Sequence, residues 1–290
     1  MNNRTTIHVC TKDRHSELAL LLQSLRTQIY KDWDLILLDD MSGSPITNCH
    51  FIMSLINRIA LEGHKVKLLR ENVSNGVCHV RNECIRHDTF QNLYTCRLDD
   101  DVILEPDYLQ KLIKGIYLGY DVMTGVVPIL SQPEVSRESK YVGNIICEHK
   151  IDSNGNLTLN KDELAYTYGE DDVIIPCHQF RTNALYKSEL HNKIKYPTNL
   201  TPVGFREEGF FSFNAIINGY KIGACLSAIA YHLQTPSGGC RYNQYQQYVQ
   251  IDHTIFLEWI KLKVEQNGNF LERYNQTILH IIDLKNEVGQ

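Results

Sequence analysis

Over its first hundred residues this chain alternates four apolar runs of strand length with three amphipathic stretches, and no other feature narrows the fold so far. Thr5–Cys10, Trp33–Leu38, Val66–Leu69 and Leu93–Leu98 read as strands. Between them, Ser16–Gln28 carries Leu18, Leu21, Leu22 and Leu25 at helical spacing, with Ser16 as its N-cap. Phe51, Ile52, Leu55, Ile56 and Ile59 mark a second helix, and Gly76–His87 a third, opened by an Asn75-Gly76 turn that needs φ > 0. Strands joined through helices pair in parallel by right-handed crossovers. The expected class is α/β, with a mostly parallel central sheet flanked by helices.

The rest of the chain is less regular. Glu105-Pro106-Asp107 opens a helix through Leu118, with Pro106 in its first turn, and Asp121–Val127 is a strand. Residues 131–175 are polar, with an Asp152–Asn156 turn between β-like runs, which suggests an inserted hairpin or flap. Phe205–Asn218 is a helix, Lys221–Cys225 and Ala228–His232 are strands, and Thr235–Gly239 is a loop. From Tyr242 onward the pattern is helical. A helix at 250–263 with Trp259, Lys261 and Lys263 can pack on the core, touch a membrane or meet a second subunit.

Composition excludes several function classes. A hydrophobic content of 43% and a charged content of 22% over 290 residues are ordinary for a globular protein. The formal charge is −5 with no basic stripe, which argues against nucleic acid as a partner. No window approaches 18 consecutive apolar residues, and the start of the chain lacks an apolar signal core. Nine scattered cysteines without a Cys-x-x-Cys pair fit reduced thiols, not a disulfide framework or zinc site, so a cytoplasmic protein is expected.

The chemistry gathers where strands end. Asp99-Asp100-Asp101 closes the fourth strand, at the sheet edge where open α/β folds bind ligands. Three adjacent carboxylates repel each other unless a cation neutralises them, and an oxygen-only set suits Mg²⁺ or Mn²⁺ holding substrate phosphates. The alternative is a solvated acidic turn. Asp39-Asp40 ends the second strand, where one carboxylate can accept from a ribose or a pyrimidine N–H, or simply cap a turn. The loop Thr11-Lys12-Asp13-Arg14 can reach the same base or the phosphates, which makes Thr11 and Asp13 donor-site candidates, or is an ordinary connection. Arg81 can face the acidic cluster or a diphosphate, or lie on the surface. Glu207-Glu208 opens a helix, where a carboxylate can serve as a general base or merely complement the helix dipole. His232 follows a strand and can join carboxylates on Mn²⁺ or be structural, and Gly238-Gly239 with Arg241 can close over phosphates or link to the last helix.

Taken in order, a strand ending in Asp-Asp, an Asn-x-x-x-Gly…Arg-Asn helix, an Asp-x-Asp, a Glu-Glu helix and a His before Gly-Gly make a pattern that resembles the family 2 glycosyltransferases, inverting enzymes with the GT-A fold. The resemblance covers roughly residues 4–240. It implies a GT-A, Rossmann-like nucleotide-diphospho-sugar transferase domain over 1–240, with a nucleotide-sugar-binding half at 1–130 and an acceptor-binding half at 131–240. It leaves 241–290 as a C-terminal helical extension. It further implies that Thr11 and Asp40 line the base pocket with Asp40 facing uracil, that Arg81 borders the nucleotide, and that Asp100 lies against the ribose or donor sugar. Asp99 and Asp101 frame the Asp-x-Asp, Asp101 is the direct metal ligand, and His232 is the later metal-binding histidine. The catalytic base is one of Glu207 and Glu208. Family members usually carry Glu-Asp or Asp-Asp there, and Glu208 is preferred. The Gln-x-x-Arg-Trp motif of processive synthases is absent, which points to transfer of a single sugar.

The implied function is metal-dependent, inverting transfer from a nucleotide-sugar, a UDP-sugar first, to a glycan or lipid-linked acceptor. Its usual setting is bacterial-type surface polysaccharide or glycan biosynthesis, at the inner face of the membrane or free in the cytoplasm, with room for peripheral membrane association or a homodimer. Two rivals stand beside it: a metal-dependent nucleotidyltransferase or phosphohydrolase built on the three aspartates, and a non-catalytic nucleotide-sugar-binding module.

Overall fold

The apolar runs of the first hundred residues lie side by side as a parallel sheet. The structure, a computed structural model, describes residues 2–131, 149–159 and 172–276. Asn2–Thr11 (β1), Trp33–Asp39 (β2), Val66–Arg70 (β3) and Asn92–Asp99 (β4) pair in the order β3-β2-β1-β4, all parallel. Beyond β4 the sheet becomes mixed. Ala184–Lys187 (β10) enters antiparallel between β4 and Val122–Val126 (β6), and β6 pairs in parallel with Ile222–His232 (β11). Val102–Leu104 (β5) and Ile174–Pro176 (β9) run antiparallel to β11. The expectation of a mostly parallel sheet therefore holds for the first half alone. β5 and β10 follow the strands before them through short loops, too short for the helical crossover that a parallel neighbour requires. The two strands expected at 221–225 and 228–232 are one strand, with a register shift between Ala224 and Ile229.

Helices cover both faces. His15–Arg26 (α1), His50–Leu61 (α2) and Tyr108–Tyr117 (α4) pack on the face presented by Ile7, Val9, Leu35 and Leu98. On the other face, Val77–His87 (α3) covers Ile36 and Leu38, while Glu207–Ile217 (α5) and Tyr245–Gln266 (α6) pack with Ala184 and Tyr186. Trp259 of α6 turns inward, its ring 4.8 Å from Phe210, so this helix packs on the core. Among the described residues no helix is long and apolar enough to cross a membrane, and the eight cysteines there are free thiols.

Local details depart from expectation in two places. Ser16 lies inside α1 and bonds the Glu17 carboxylate, because the loop before it is bent at Asp13 (φ 54°) and the helix starts a residue earlier. Pro106 precedes α4, its carbonyl accepting from Ile29 N–H at 2.7 Å. Gly76 does carry a positive φ, 91°, and a Cβ there would stand 2.4 Å from Pro202 Cα, so this turn seats the 200s segment against α3. Of the 131–175 insert, His149–Ile151 (β7) and Leu157–Leu159 (β8) pair about the Asp152–Asn156 turn; 132–148 and 160–171 lie outside the described residues.

Two buried histidines link this core to pH. His178 stacks on Tyr274 with ring centres 4.0 Å apart, its Nε2 2.9 Å from the Tyr274 carbonyl, and His191 Nε2 lies 3.1 Å from the Tyr186 hydroxyl. Burial pushes both imidazoles down, to about 3. A histidine depressed in the folded state leaves the unfolded chain holding more protons below the ordinary value near 6.5, so stability falls as pH drops through that value. Each should cost about 2 kcal/mol at pH 5 relative to pH 7.5. Urea denaturation of wild type and His178→Gln at the two pH values tests this; the variant should lose that much less stability on acidification, and an equal loss in both proteins would contradict it.

Candidate active site

Because β1, β2 and β4 are parallel neighbours, their carboxyl ends converge, with Thr11 opposite Asp39 and Cys10 opposite Asp99. Asp39 is taken up by structure, its carboxylate accepting from the N–H groups of Ser42 (2.8 Å) and Ile46 (3.2 Å) and from Arg70. Asp40 is built differently. Its Oδ2 accepts from the Ser74 hydroxyl at 2.7 Å, and Ser74 accepts from the Lys12 ammonium at 2.8 Å. Its Oδ1 is buried with no partner among the described residues, and burial raises the carboxyl above its ordinary range. A buried acceptor without a donor is costly, and a ligand N–H would satisfy it.

The three consecutive acids are neutralised by arginines. Asp100 accepts from the Thr11 hydroxyl at 2.7 Å and from Arg14 at 2.9 Å. The same Arg14 nitrogen lies 3.0 Å from Asp101 Oδ2, which is also 3.3 Å from His232 Nε2. Asp99 is bonded by Arg81 and lies 3.6 Å from Arg97. Burial pushes Asp100 up to about 6 even beside Arg14. For Asp101, His232 and Arg14 outweigh burial and hold the carboxyl below its usual range.

Opposite this corner stands the start of α5. Asp252 of α6, fully buried, accepts from Thr201 N–H (2.7 Å), the Thr201 hydroxyl (2.8 Å) and Phe205 N–H (2.8 Å), pinning the segment that leads into the helix. Arg206 then adopts φ 72°, and Glu207 and Glu208 follow. Glu207 turns inward, 3% exposed, with Oε2 2.6 Å from Arg97 Nη1 and Oε1 3.8 Å from Arg81. Burial pushes its carboxyl up to about 7 against the pull of both guanidiniums. Glu208, about 100° further round the helix, has a side chain 30% exposed and 3.8 Å from Arg97.

Two adjoining cavities connect these groups. One of about 420 Å³ is lined by Asp99, Asp101, His232, Glu207, Glu208 and Arg241, among others. A smaller one, about 100 Å³, reaches Thr11, Lys12, Asp40, Asp100 and Tyr242. Arg81 and Asp99 line both. A cavity of about 530 Å³ between Tyr120, Ile216 and Tyr220 is larger but has no acidic lining among the described residues. The larger cavity thus brings a carboxylate–imidazole pair, Asp101 and His232, together with the partly exposed carboxylate of Glu208.

The sequence profile of glycosyl transferase family 2 matches residues 6–192. This chain belongs to glycosyl transferase family 2. As a member of this family the chain is a glycosyltransferase. Similar solved structures share the GT-A fold. S. aureus TarS 1–349 aligns with a TM-score of 0.58 and 15% identity over 94% of this chain and 71% of that one. Its complex with UDP-GlcNAc aligns at 0.59 and 16% over 93% and 72%. GalNAc-T7 with UDP, GalNAc and Mn²⁺ aligns at 0.59 and 13%, over 86% and 48%. At such identities the likeness establishes the fold. No curated protein matches the chain by sequence.

Within the family 2 enzyme, Thr11, Asp40, Arg81, Asp99 and Asp100 line the smaller cavity, and Asp101, His232, Glu207, Glu208 and Arg241 line the larger. Asp13 lines neither; its exposed carboxylate accepts from Gly43 N–H at 2.7 Å. Asp101 and His232 stand together, whereas Asp99, expected beside them, is drawn to Arg81 by a bond that a free carboxylate in a cleft would not have. Arg241 is exposed and lies over the Tyr245 ring at 5.2 Å. Sequence reasoning missed Arg97, Asp252 and Arg14's bond to the acids. Arg97 had a signal: a charge inside an otherwise apolar strand must find a buried counter-charge.

Proposed function

We propose that the enzyme moves one sugar from a UDP-sugar to an acceptor hydroxyl of a glycan or lipid-linked glycan, inverting the anomeric centre. The carrying observation is that Asp101, His232 and the accessible Glu208 line one cavity, and that this cavity shares Arg81 and Asp99 with the adjoining one lined by Asp40, whose Oδ1 has no partner among the described residues. TarS bound to UDP-GlcNAc and GalNAc-T7 bound to UDP and Mn²⁺ support the donor class and the ion. Among the described residues no group of three His, Cys, Asp or Glu is arranged to hold a metal. The donor set still fits one: Asp101 and His232 would hold Mn²⁺ or Mg²⁺ together with diphosphate oxygens and water, a carboxylate–imidazole pair that suits Mn²⁺. Bound there, the ion would offset charge on the departing UDP.

The chain's own residues do the rest in this reading. Asp40 accepts the ring N–H of uracil, and Arg81 borders the diphosphate. Glu208, free of the bond that ties Glu207 to Arg97, takes the proton of the acceptor hydroxyl as the glycosidic bond forms. Attack by that hydroxyl as UDP departs is displacement in one step, which inverts the anomeric centre.

Thermal denaturation with nucleoside diphosphates and Mn²⁺ tests the donor class. At about 100 times its dissociation constant, UDP should stabilise the fold by about 2.7 kcal/mol. That stabilisation should require Mn²⁺, be absent with GDP or ADP, and vanish in Asp101→Ala. Mn²⁺-independent UDP stabilisation, or its survival in Asp101→Ala, would remove the metal role; no response to UDP would remove the donor assignment.

A further inference from the structure

Among the described residues, Tyr242 is the one aromatic side chain lining the smaller cavity, and it comes from the far end of the catalytic segment. Its ring stands at the corner of the base-reading acid. Asp40 is joined through Ser74 to the Lys12 ammonium by bonds of 2.7 and 2.8 Å, and that ammonium lies 5.5 Å from the Tyr242 ring centre. The loop carrying Tyr242 is seated firmly. Gly239 N–H donates to the Lys12 carbonyl at 2.8 Å, and the Arg14 Nε donates to the Ser237 carbonyl at 3.1 Å. Gly238 adopts φ 72°, and a Cβ there would lie 2.9 Å from the carbonyl oxygens of both Lys12 and Asp13. Only glycine lets the loop approach the β1–α1 connection this closely.

A nucleobase needs hydrogen bonds at its edge and a flat partner on its face. Asp40 offers the edge contact. Val77, Val80 and Pro202 give the cavity an aliphatic wall, and Tyr242 is its aromatic member, its ring now under the Lys12 ammonium, which an entering base would displace. We propose that the donor's nucleobase stacks on Tyr242, so that the loop after β11, and not the β1 loop alone, completes the base site. This rests on the UDP-sugar reading above.

Calorimetry in Mn²⁺ with UDP, uridine and inorganic pyrophosphate, on wild type and Tyr242→Phe, Tyr242→Leu and Tyr242→Ala, tests it. Loss of the ring in Ala or Leu should weaken UDP and uridine alike, on the order of 10- to 100-fold, while Phe binds as wild type. Pyrophosphate binding should be unchanged throughout, which separates a base contact from a disturbed loop. Wild-type UDP affinity in Tyr242→Ala, or an equal loss for pyrophosphate, would overturn the proposal while leaving the donor class standing. Failure of wild type to bind UDP would instead overturn the donor class, and this proposal with it. Tyr242 is half-buried and belongs to none of the hydrophobic clusters of the core; melting curves of the variants check that its truncation leaves the fold intact.

Discussion

Glu208→Gln is expected to slow sugar transfer by on the order of 10²–10⁴-fold, the range a positioned general base contributes, while UDP affinity stays at its wild-type value. The amide keeps the size and hydrogen-bonding reach of the side chain and removes only its capacity to accept a proton. Because Glu208 touches neither Asp101 nor the Asp40 pocket, ground-state donor binding has no reason to change. Glu207→Gln should behave differently. It breaks a buried ion pair with Arg97, so its first consequence is lost stability, with rate lost through misplacement of α5. Steady-state kinetics with a UDP-sugar, read beside melting curves, separates the two glutamates. A Glu208→Gln enzyme turning over at the wild-type rate would assign the base elsewhere, with Glu207 next in line.

The second large effect concerns Arg97. Arg97→Met should destabilise the fold by about 3–5 kcal/mol at pH 8, the cost of leaving a buried charge without its partner. Arg97 is 1% exposed, bonds Glu207 at 2.6 Å, and lies 5.3 Å and 5.6 Å from the ring centres of Phe180 and Tyr196. Without it, Glu207 keeps only the more distant Arg81, 3.8 Å away, and is driven toward taking up a proton. Its folded-state pKa, already raised to about 7, would rise further above its unfolded value. A carboxyl raised on folding adds stability at low pH that is lost as pH climbs through the folded value, so the defect should shrink when pH is lowered to 5.5. The double variant Arg97→Met/Glu207→Met should regain much of the loss, since an apolar pair of similar volume replaces the ions without desolvating a charge. Chemical denaturation of the four proteins closes this cycle; a defect that ignores pH and persists in the double variant would mean that Arg97 acts through packing.

Much of the first half was legible because its signals are local. Periodic leucines in α1 and isoleucines in α2, the short β-rich runs, and acids placed just after them need no distant partner to be read. The boundaries agree to within one to three residues at β2, α2 and α3. The second half was harder. β10 carries only Ala184–Lys187, and nothing inside those four residues says that they slot antiparallel between β4 and β6. The break read between Cys225 and Ala228 is a register shift in one long strand, a property of its pairing with β6.

The candidate site divides along the same line. Asp40, Asp99–Asp101, Glu207–Glu208 and His232 were recognisable by residue type and by position at element ends. Their states were not. That Asp39 fastens a turn while Asp40 keeps a free oxygen, that Glu207 is sealed on Arg97, and that Asp99 answers to Arg81, depend in part on groups 18 to 110 residues away. The C-terminal helix was legible as a helix but carried no functional signal, yet its Asp252 holds the loop that leads to the glutamates, and the loop before it carries Tyr242 to the smaller cavity.

Sequence alone determined the α/β class, the run of motifs along the chain and the edge of the sheet at which they meet, because periodicity and strand direction are written in neighbouring residues. Tertiary structure decided which carboxylates are spent on arginines and which stay available. Charge pairing and burial are set by side chains brought together across the sheet, as the Arg97 guanidinium shows by holding Glu207 110 residues away.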